Sequence, residues 1–164
     1  MSGESSFALI LPGGLHPSYY ERVRQDPRLA PALDEQMLPA LRSDASPADR
    51  LQRFERARRA GIAAYEAARA RGEATATAEE QAAIVEGPMP DPALQAFDKV
   101  CTDALRTFFL SYARALAADL DGEARDAGLD ALAALTDGAF PWDEGATKSA
   151  RVDVVLVKAQ AAGG

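Results

Sequence analysis

A single cysteine, Cys101, and a single histidine, His16, mean that this chain of 164 residues must be held together by its apolar core. One cysteine cannot form a disulfide within the chain, and structural zinc sites need four cysteine or histidine ligands. A chain of this length buries roughly 70% of its unfolded surface, which is enough for a core without such links. We therefore expect no metal and no cofactor, and Ser-His-Asp or Cys-His chemistry could depend only on His16.

The net charge of −7 disfavours a general attraction to nucleic acids or anionic membranes, because both need a positive surface. Near the amino terminus the apolar run covers only residues 7–11, which is too short for a membrane span. The composition therefore favours a cytoplasmic protein without a membrane segment. The charge is uneven, however: residues 47–72 carry seven arginines against three acidic residues, a local net charge of +4.

The order of apolar and polar residues predicts one domain of the α+β class, mainly α-helical, with about five to six helices. Alternating or β-branched residues predict a strand near each end of the chain, and capping residues with helical periodicity predict the helices between them. The predicted strands are 6–11 and 152–158, and the predicted helices are 18–42 (broken), 47–71, 78–86, 92–121 and 124–136. We expect the two strands to pair in a small sheet, which a second copy of the chain could extend into a dimer because a two-stranded ribbon alone is marginal.

Charged residues interrupt the apolar faces of the two longest predicted helices. Arg58 lies four residues after Phe54 and four before Ile62, and Asp98 lies four after Leu94. A charge buried without a partner would cost several kcal/mol, so each needs one. Either the two form an ion pair that fixes helix packing, or Arg58, together with Arg69, lines a pocket for a carboxylate or phosphate.

A second candidate site follows the first predicted strand, where Gly13 and Gly14 precede His16 and a capped helix. Glycines let a backbone approach a ligand, and a helix start offers amide donors to an anion. These residues suggest an alternative function, a small enzyme or ligand-binding protein for an anionic small molecule, with His16 as a neutral base. Its pocket would combine His16, Gly13, Gly14, Arg58, Arg69, Asp98 and Tyr112.

The leading interpretation is a non-enzymatic module for protein interaction or regulation, with self-association as a further expectation. Its contacts would come from the arginine-rich helix, through Arg53 and Arg56, or from the loop that carries Trp142, because aromatic and arginine side chains dominate many interfaces. Nucleic-acid binding by that helix is a third, disfavoured interpretation that needs Arg53, Arg56 and Arg71 exposed away from acidic residues.

Overall fold

The computed structural model describes residues 15–73 and 91–163, and within these two stretches no residue lies in a β-strand. The expected α+β class is therefore wrong, whereas the mainly helical character is confirmed. The predicted strand at 6–11 and the predicted helix at 78–86 lie outside the described residues. The chain groups into two compact units, and the division falls between Cys101 and Thr102. The single-domain expectation stays a prediction.

The first unit begins with short helices separated by side-chain caps. Helix α1 spans Pro17–Arg24 and is capped by His16. Asp26 lies between α1 and the next helix. Its Oδ1 accepts hydrogen bonds from the backbone amides of Arg28 and Leu29, at 2.8 and 3.1 Å. The passage that follows consists of α2 (Leu29–Pro31), a π-helical turn (Ala32–Met37) and α3 (Leu38–Leu41). Prolines lack an amide donor, so those at 31 and 39 disturb the regular α-helical hydrogen bonding there.

Helix α4 spans Pro47–Ala70 and starts where the sequence places an N-cap serine before a proline. The Ser46 side chain accepts from the amide of Asp49 at 3.2 Å, and proline at the first helical position needs no donor. The helix buries Phe54 and Tyr65, both fully inaccessible. Gly61 lies between them on the same side, where α4 passes close to Ala32.

Helix α5 spans Pro92–Asp119 and contributes residues to both units. In the first unit it buries Phe97, Val100 and Cys101. In the second it buries Leu105 and Phe109. At about 1.5 Å per residue the helix is about 42 Å long. The C-terminal part of α5 therefore gives the second unit an apolar surface, and the remaining helices of that unit pack on it.

Helices α6 (Gly122–Ala139) and α7 (Glu144–Gly163) complete the second unit and pack against each other. Residues 140–143 join them, and Phe140 is buried there with its ring centroid 6.1 Å from that of Phe109. Helix α6 contributes Leu129 and Leu132 to this core. The loop thus anchors the two helices to α5 through aromatic contacts.

The second strand expected at 152–158 is helical, since these residues form the middle of α7. The valines favour a strand locally, but Ala146, Ala150, Val154 and Val157 are buried at helical spacing of three to four residues. Packing of these four residues against the rest of the second unit outweighs the local preference of the valines for a strand. The expected pairing of two terminal strands, and a dimer built by extending their sheet, are therefore wrong.

Candidate functional site

Arg58 lies in α4 with 8% of its surface exposed, and two carboxylates face it. Its Nε and Nη2 donate to Glu55 at 2.8 and 3.0 Å, and its Nη1 lies 3.8 Å from Oδ1 of Asp98. The sequence suggested Asp98 as a partner, but it gave no weight to Glu55, which lies one helical turn before Arg58. The bidentate contact with Glu55 already uses Nε and Nη2 of Arg58, the pair of donors that would bind an anionic ligand.

Cys101 lies close to this cluster but is chemically protected. Burial raises the pKa of its thiol well above the ordinary value, and the nearby positive charge of Arg58 opposes that rise without overcoming it. A thiol is a nucleophile only as the thiolate. Cys101 is therefore suited to core packing rather than to catalysis.

Arg69 does not join Arg58 but binds Asp91, a residue that the sequence indicated only as the start of a helix. Asp91 Oδ2 accepts from Nη1 of Arg69 at 2.9 Å, and both carboxylate oxygens accept from the hydroxyl of Tyr65, at 2.8 and 2.9 Å. Asp91 Oδ1 also accepts from the amides of Ala93 and Leu94, at 2.9 and 3.3 Å. Asp91 thus caps α5 and links its start to α4.

His16 is exposed and caps its own helix, since its Nδ1 accepts from the amide of Ser18 at 3.1 Å. Gly13 and Gly14 lie outside the described residues. Tyr112 belongs to the second unit, where its ring packs 5.8 Å from that of Phe108. Among the members of the proposed anion pocket that the structure describes, Arg58 and Asp98 lie within ion-pair distance of each other, whereas His16 caps α1 and Arg69 pairs with Asp91.

Arg53 and Arg56 are exposed on α4, one helical turn apart. Neither forms an ion pair with a carboxylate of residues 15–73 or 91–163. Asp49 lies four residues before Arg53 on the same exposed side. This surface is therefore available to a partner, although an exposed arginine pair is also common on solvated helices.

A groove of about 460 Å³ opens in the second unit beside the loop between α6 and α7. Trp142 forms one wall, and its orientation is fixed because Nε1 donates to Oγ1 of Thr102 at 3.0 Å. The ring of Phe140 stands edge-on to it, with centroids 5.9 Å apart. Because the polar end of the indole is already bonded, its remaining exposed part offers an apolar contact surface.

The charges around the groove are only partly paired. Arg151 forms an ion pair with Asp137, and its Nε donates to Oγ1 of Thr136 at 3.3 Å. Asp143 caps α7, accepting from the amide of Ala146 at 3.1 Å. Lys148 also lines the groove and has no carboxylate of the described residues within ion-pair distance. Trp142 and Lys148 are therefore the groove residues best placed to meet another molecule.

The described residues contain no group of three histidine, cysteine or acidic side chains that could hold a metal ion. In the same residues no helix is long and apolar enough to cross a membrane. No protein-family model matches the chain, and neither a curated protein nor a solved structure matches it significantly.

Proposed function

We propose that the protein is a non-enzymatic cytoplasmic module that binds another protein through the groove beside Trp142. The observation that carries this proposal is the combination of a fixed indole ring with the ammonium group of Lys148, which has no carboxylate partner among residues 15–73 and 91–163. Tryptophan held in place loses little entropy on binding, and such residues dominate the energetics of many interfaces. The volume of about 460 Å³ suits one or two side chains of a partner.

Lys148 would recognise a partner segment that presents an apolar side chain next to a carboxylate, within a groove whose three acidic and two basic side chains carry a net charge of −1. The apolar side chain would pack on Trp142, and the carboxylate would pair with Lys148. Arg151 would add to the positive potential only in part, because Asp137 already neutralises it. Glu144, which also lines the groove, would disfavour a purely anionic small molecule.

The contacts of Arg58 and His16 give less support to an anion-binding enzyme. Arg58 faces Glu55 and Asp98, so an incoming anion would have to displace a bidentate carboxylate. The His16 ring nitrogen that caps α1 is unavailable as a base while it accepts from Ser18. We therefore give the groove priority over an anion pocket.

Site-specific photocrosslinking tests the proposal. A photoreactive amino acid is placed at Thr147, which lines the groove, and in a second protein at Arg53 on α4. We expect adducts with a cellular protein from position 147. That protein is then purified and titrated while the fluorescence of Trp142, the single tryptophan of the chain, is followed.

In the titration, Lys148→Glu should weaken binding at least tenfold, with an unchanged melting temperature because Lys148 is exposed. Arg53→Glu is the matched control and should bind like the wild type. Adducts from position 53 alone would place the partner on the arginine-rich helix. That outcome, or equal affinity of the Lys148→Glu and wild-type proteins, would refute the groove as the binding site.

A further inference from the structure

The outer face of α7 has the residue spacing of a coiled-coil seam. Steps of four and three residues alternate along it, which is the spacing of the a and d positions of a heptad repeat. The seam runs over about 27 Å of helix, at about 1.5 Å per residue. Its residues are Gly145, Ser149, Val152, Leu156, Ala159 and Gly163.

Large apolar side chains stand exposed at the centre of this seam. Val152 and Leu156 are 55% and 52% exposed, and Val155 beside them is 52% exposed. The opposite side of α7 is the one that packs in the second unit, through Val154 and Val157 among others. Single exposed apolar residues are ordinary on protein surfaces, but three adjacent ones on one helix indicate a contact surface.

Three of the five charged residues of α7 form ion pairs within the second unit. Asp153 binds Arg106 at 3.0 Å, and Lys158 binds Asp130 at 2.8 Å. Arg151 is paired with Asp137, which leaves Lys148 as the charged residue of α7 nearest to the seam without a carboxylate partner in the described part of the chain. Covering the seam would therefore bury no unpaired charge at its centre, and the desolvation cost is small.

We propose that the seam is the contact surface for a second copy of this chain, with the two α7 helices antiparallel. The seam has the same order of residue sizes from either end, so a two-fold axis near Val154 pairs like with like. Val152 of each copy then meets Leu156 of the other, and Ser149 meets Ala159. A two-fold contact needs this self-complementarity, because each pair of contacting residues occurs twice.

The residues next to the axis fit the same arrangement. Val155 of both copies would meet there and enlarge the apolar centre of the contact. Asp153 of both copies would approach on the other edge, where the bond to Arg106 offsets their repulsion. Lys148 lies six residues from the axis, so the two lysines stay apart.

The contact is limited to one helix face, so its area is below the roughly 800 Å² per partner of a standard interface. We therefore expect a reversible dimer that is half-populated at about 100 μM. The proposal concerns a different face of α7 from the Trp142 groove and does not rest on the proposed function. Failure of partner binding at the groove would leave it unchanged.

Sedimentation equilibrium of the full chain, from about 5 μM to about 500 μM, tests the proposal. We expect the mass to rise from 17.4 kDa towards twice that value across this range. Leu156→Glu should remain monomeric throughout, since it places a charge at the centre of the seam. Ala131→Glu adds the same charge at an exposed position of α6 and should dimerise like the wild type.

If Leu156→Glu fails to fold, a variant that should strengthen dimerisation tests the proposal instead. Ser149→Leu combined with Ala159→Leu doubles the number of large apolar side chains at the seam positions and should tighten dimerisation at least tenfold. A wild-type protein that stays monomeric to about 500 μM would overturn the proposal. Dimerisation that neither a folded Leu156→Glu protein nor the double leucine variant alters would overturn it as well.

Discussion

Gly61 of α4 lies so close to Ala32 that a Cβ atom at Gly61 would stand 2.7 Å from the Cβ of Ala32. Within a helix glycine is about 1 kcal/mol less favourable than alanine, so a substitution there would ordinarily stabilise the protein. Here the absence of a side chain lets the π-helical turn approach α4. A glycine that helix propensity alone would disfavour is therefore a packing requirement here.

Gly61→Ala should destabilise the protein by about 1–2 kcal/mol, because overpacking costs more than the gain in helix propensity. Urea unfolding measures the difference. Gly128→Ala in α6 is the matched control, since its Cβ would meet Leu116 at an ordinary 3.5 Å, and it should stabilise by about 0.5–1 kcal/mol. Stabilisation by both substitutions would contradict the close approach at Ala32.

Removal of the Arg58 side chain should destabilise the protein by about 1–2 kcal/mol, because Glu55 loses its bidentate contact and keeps only the more exposed ion pair with Arg59. Double-mutant cycles separate the two carboxylates. We expect the coupling of Arg58 with Glu55 at 2.8 Å to exceed its coupling with Asp98 at 3.8 Å. A larger coupling with Asp98 would instead assign Arg58 to the contact between α4 and α5.

Asp91→Ala should cost about 3 kcal/mol, since it removes both a helix cap and the carboxylate that accepts from the hydroxyl of the buried Tyr65. Asp91→Asn should cost less because the amide oxygen can still cap α5. Tyr65→Phe should cost about 1–1.5 kcal/mol. Thermal unfolding of the three variants gives the order, and an equal loss for Asp91→Ala and Asp91→Asn would argue against the capping role.

Cys101 in the folded protein should react with a disulfide reagent only at the rate at which the protein opens, and urea should speed the reaction. Burial raises the pKa of this thiol, so its contribution to stability is present below the unfolded-state pKa of about 8.5 and is lost as the pH rises above it. Cys101→Ala should lose less stability than the wild type between pH 8 and 10. Rapid labelling without urea would contradict the burial of the thiol.

Local signals in the sequence located several helix starts well, because each depends on residues next to one another in the chain. Ser46 before Pro47, and Asp91 before Pro92, mark starts that the structure has at the same residues. The prediction of a C-terminal strand was wrong because it, too, depended on a short local window of the sequence. Four valines dominate a short window, whereas the helical pattern of buried residues includes two alanines, Ala146 and Ala150, that carry little hydrophobic signal.

The candidate site was harder to predict because it depends on contacts between residues that are far apart in the sequence. Trp142 stood out in the sequence as a lone tryptophan in a proline-containing loop, but its bond to Thr102 crosses 40 residues of sequence. The link from Asp91 to Tyr65 and Arg69 crosses 26 and 22 residues. Among these contacts, only the ion pair between Arg58 and Glu55 had a local signal, because helical geometry favours ion pairs at a spacing of three residues.

The helical state of residues 152–158 also determines how readily this protein aggregates. This segment has four valines, no proline or glycine, and one acidic residue balanced by one basic residue. Such heptapeptides assemble readily into cross-β fibrils when they are extended and exposed. Packing of Val154 and Val157 keeps the segment helical, so loosening of α7 should convert the native protein into an aggregating species before the rest of the chain unfolds.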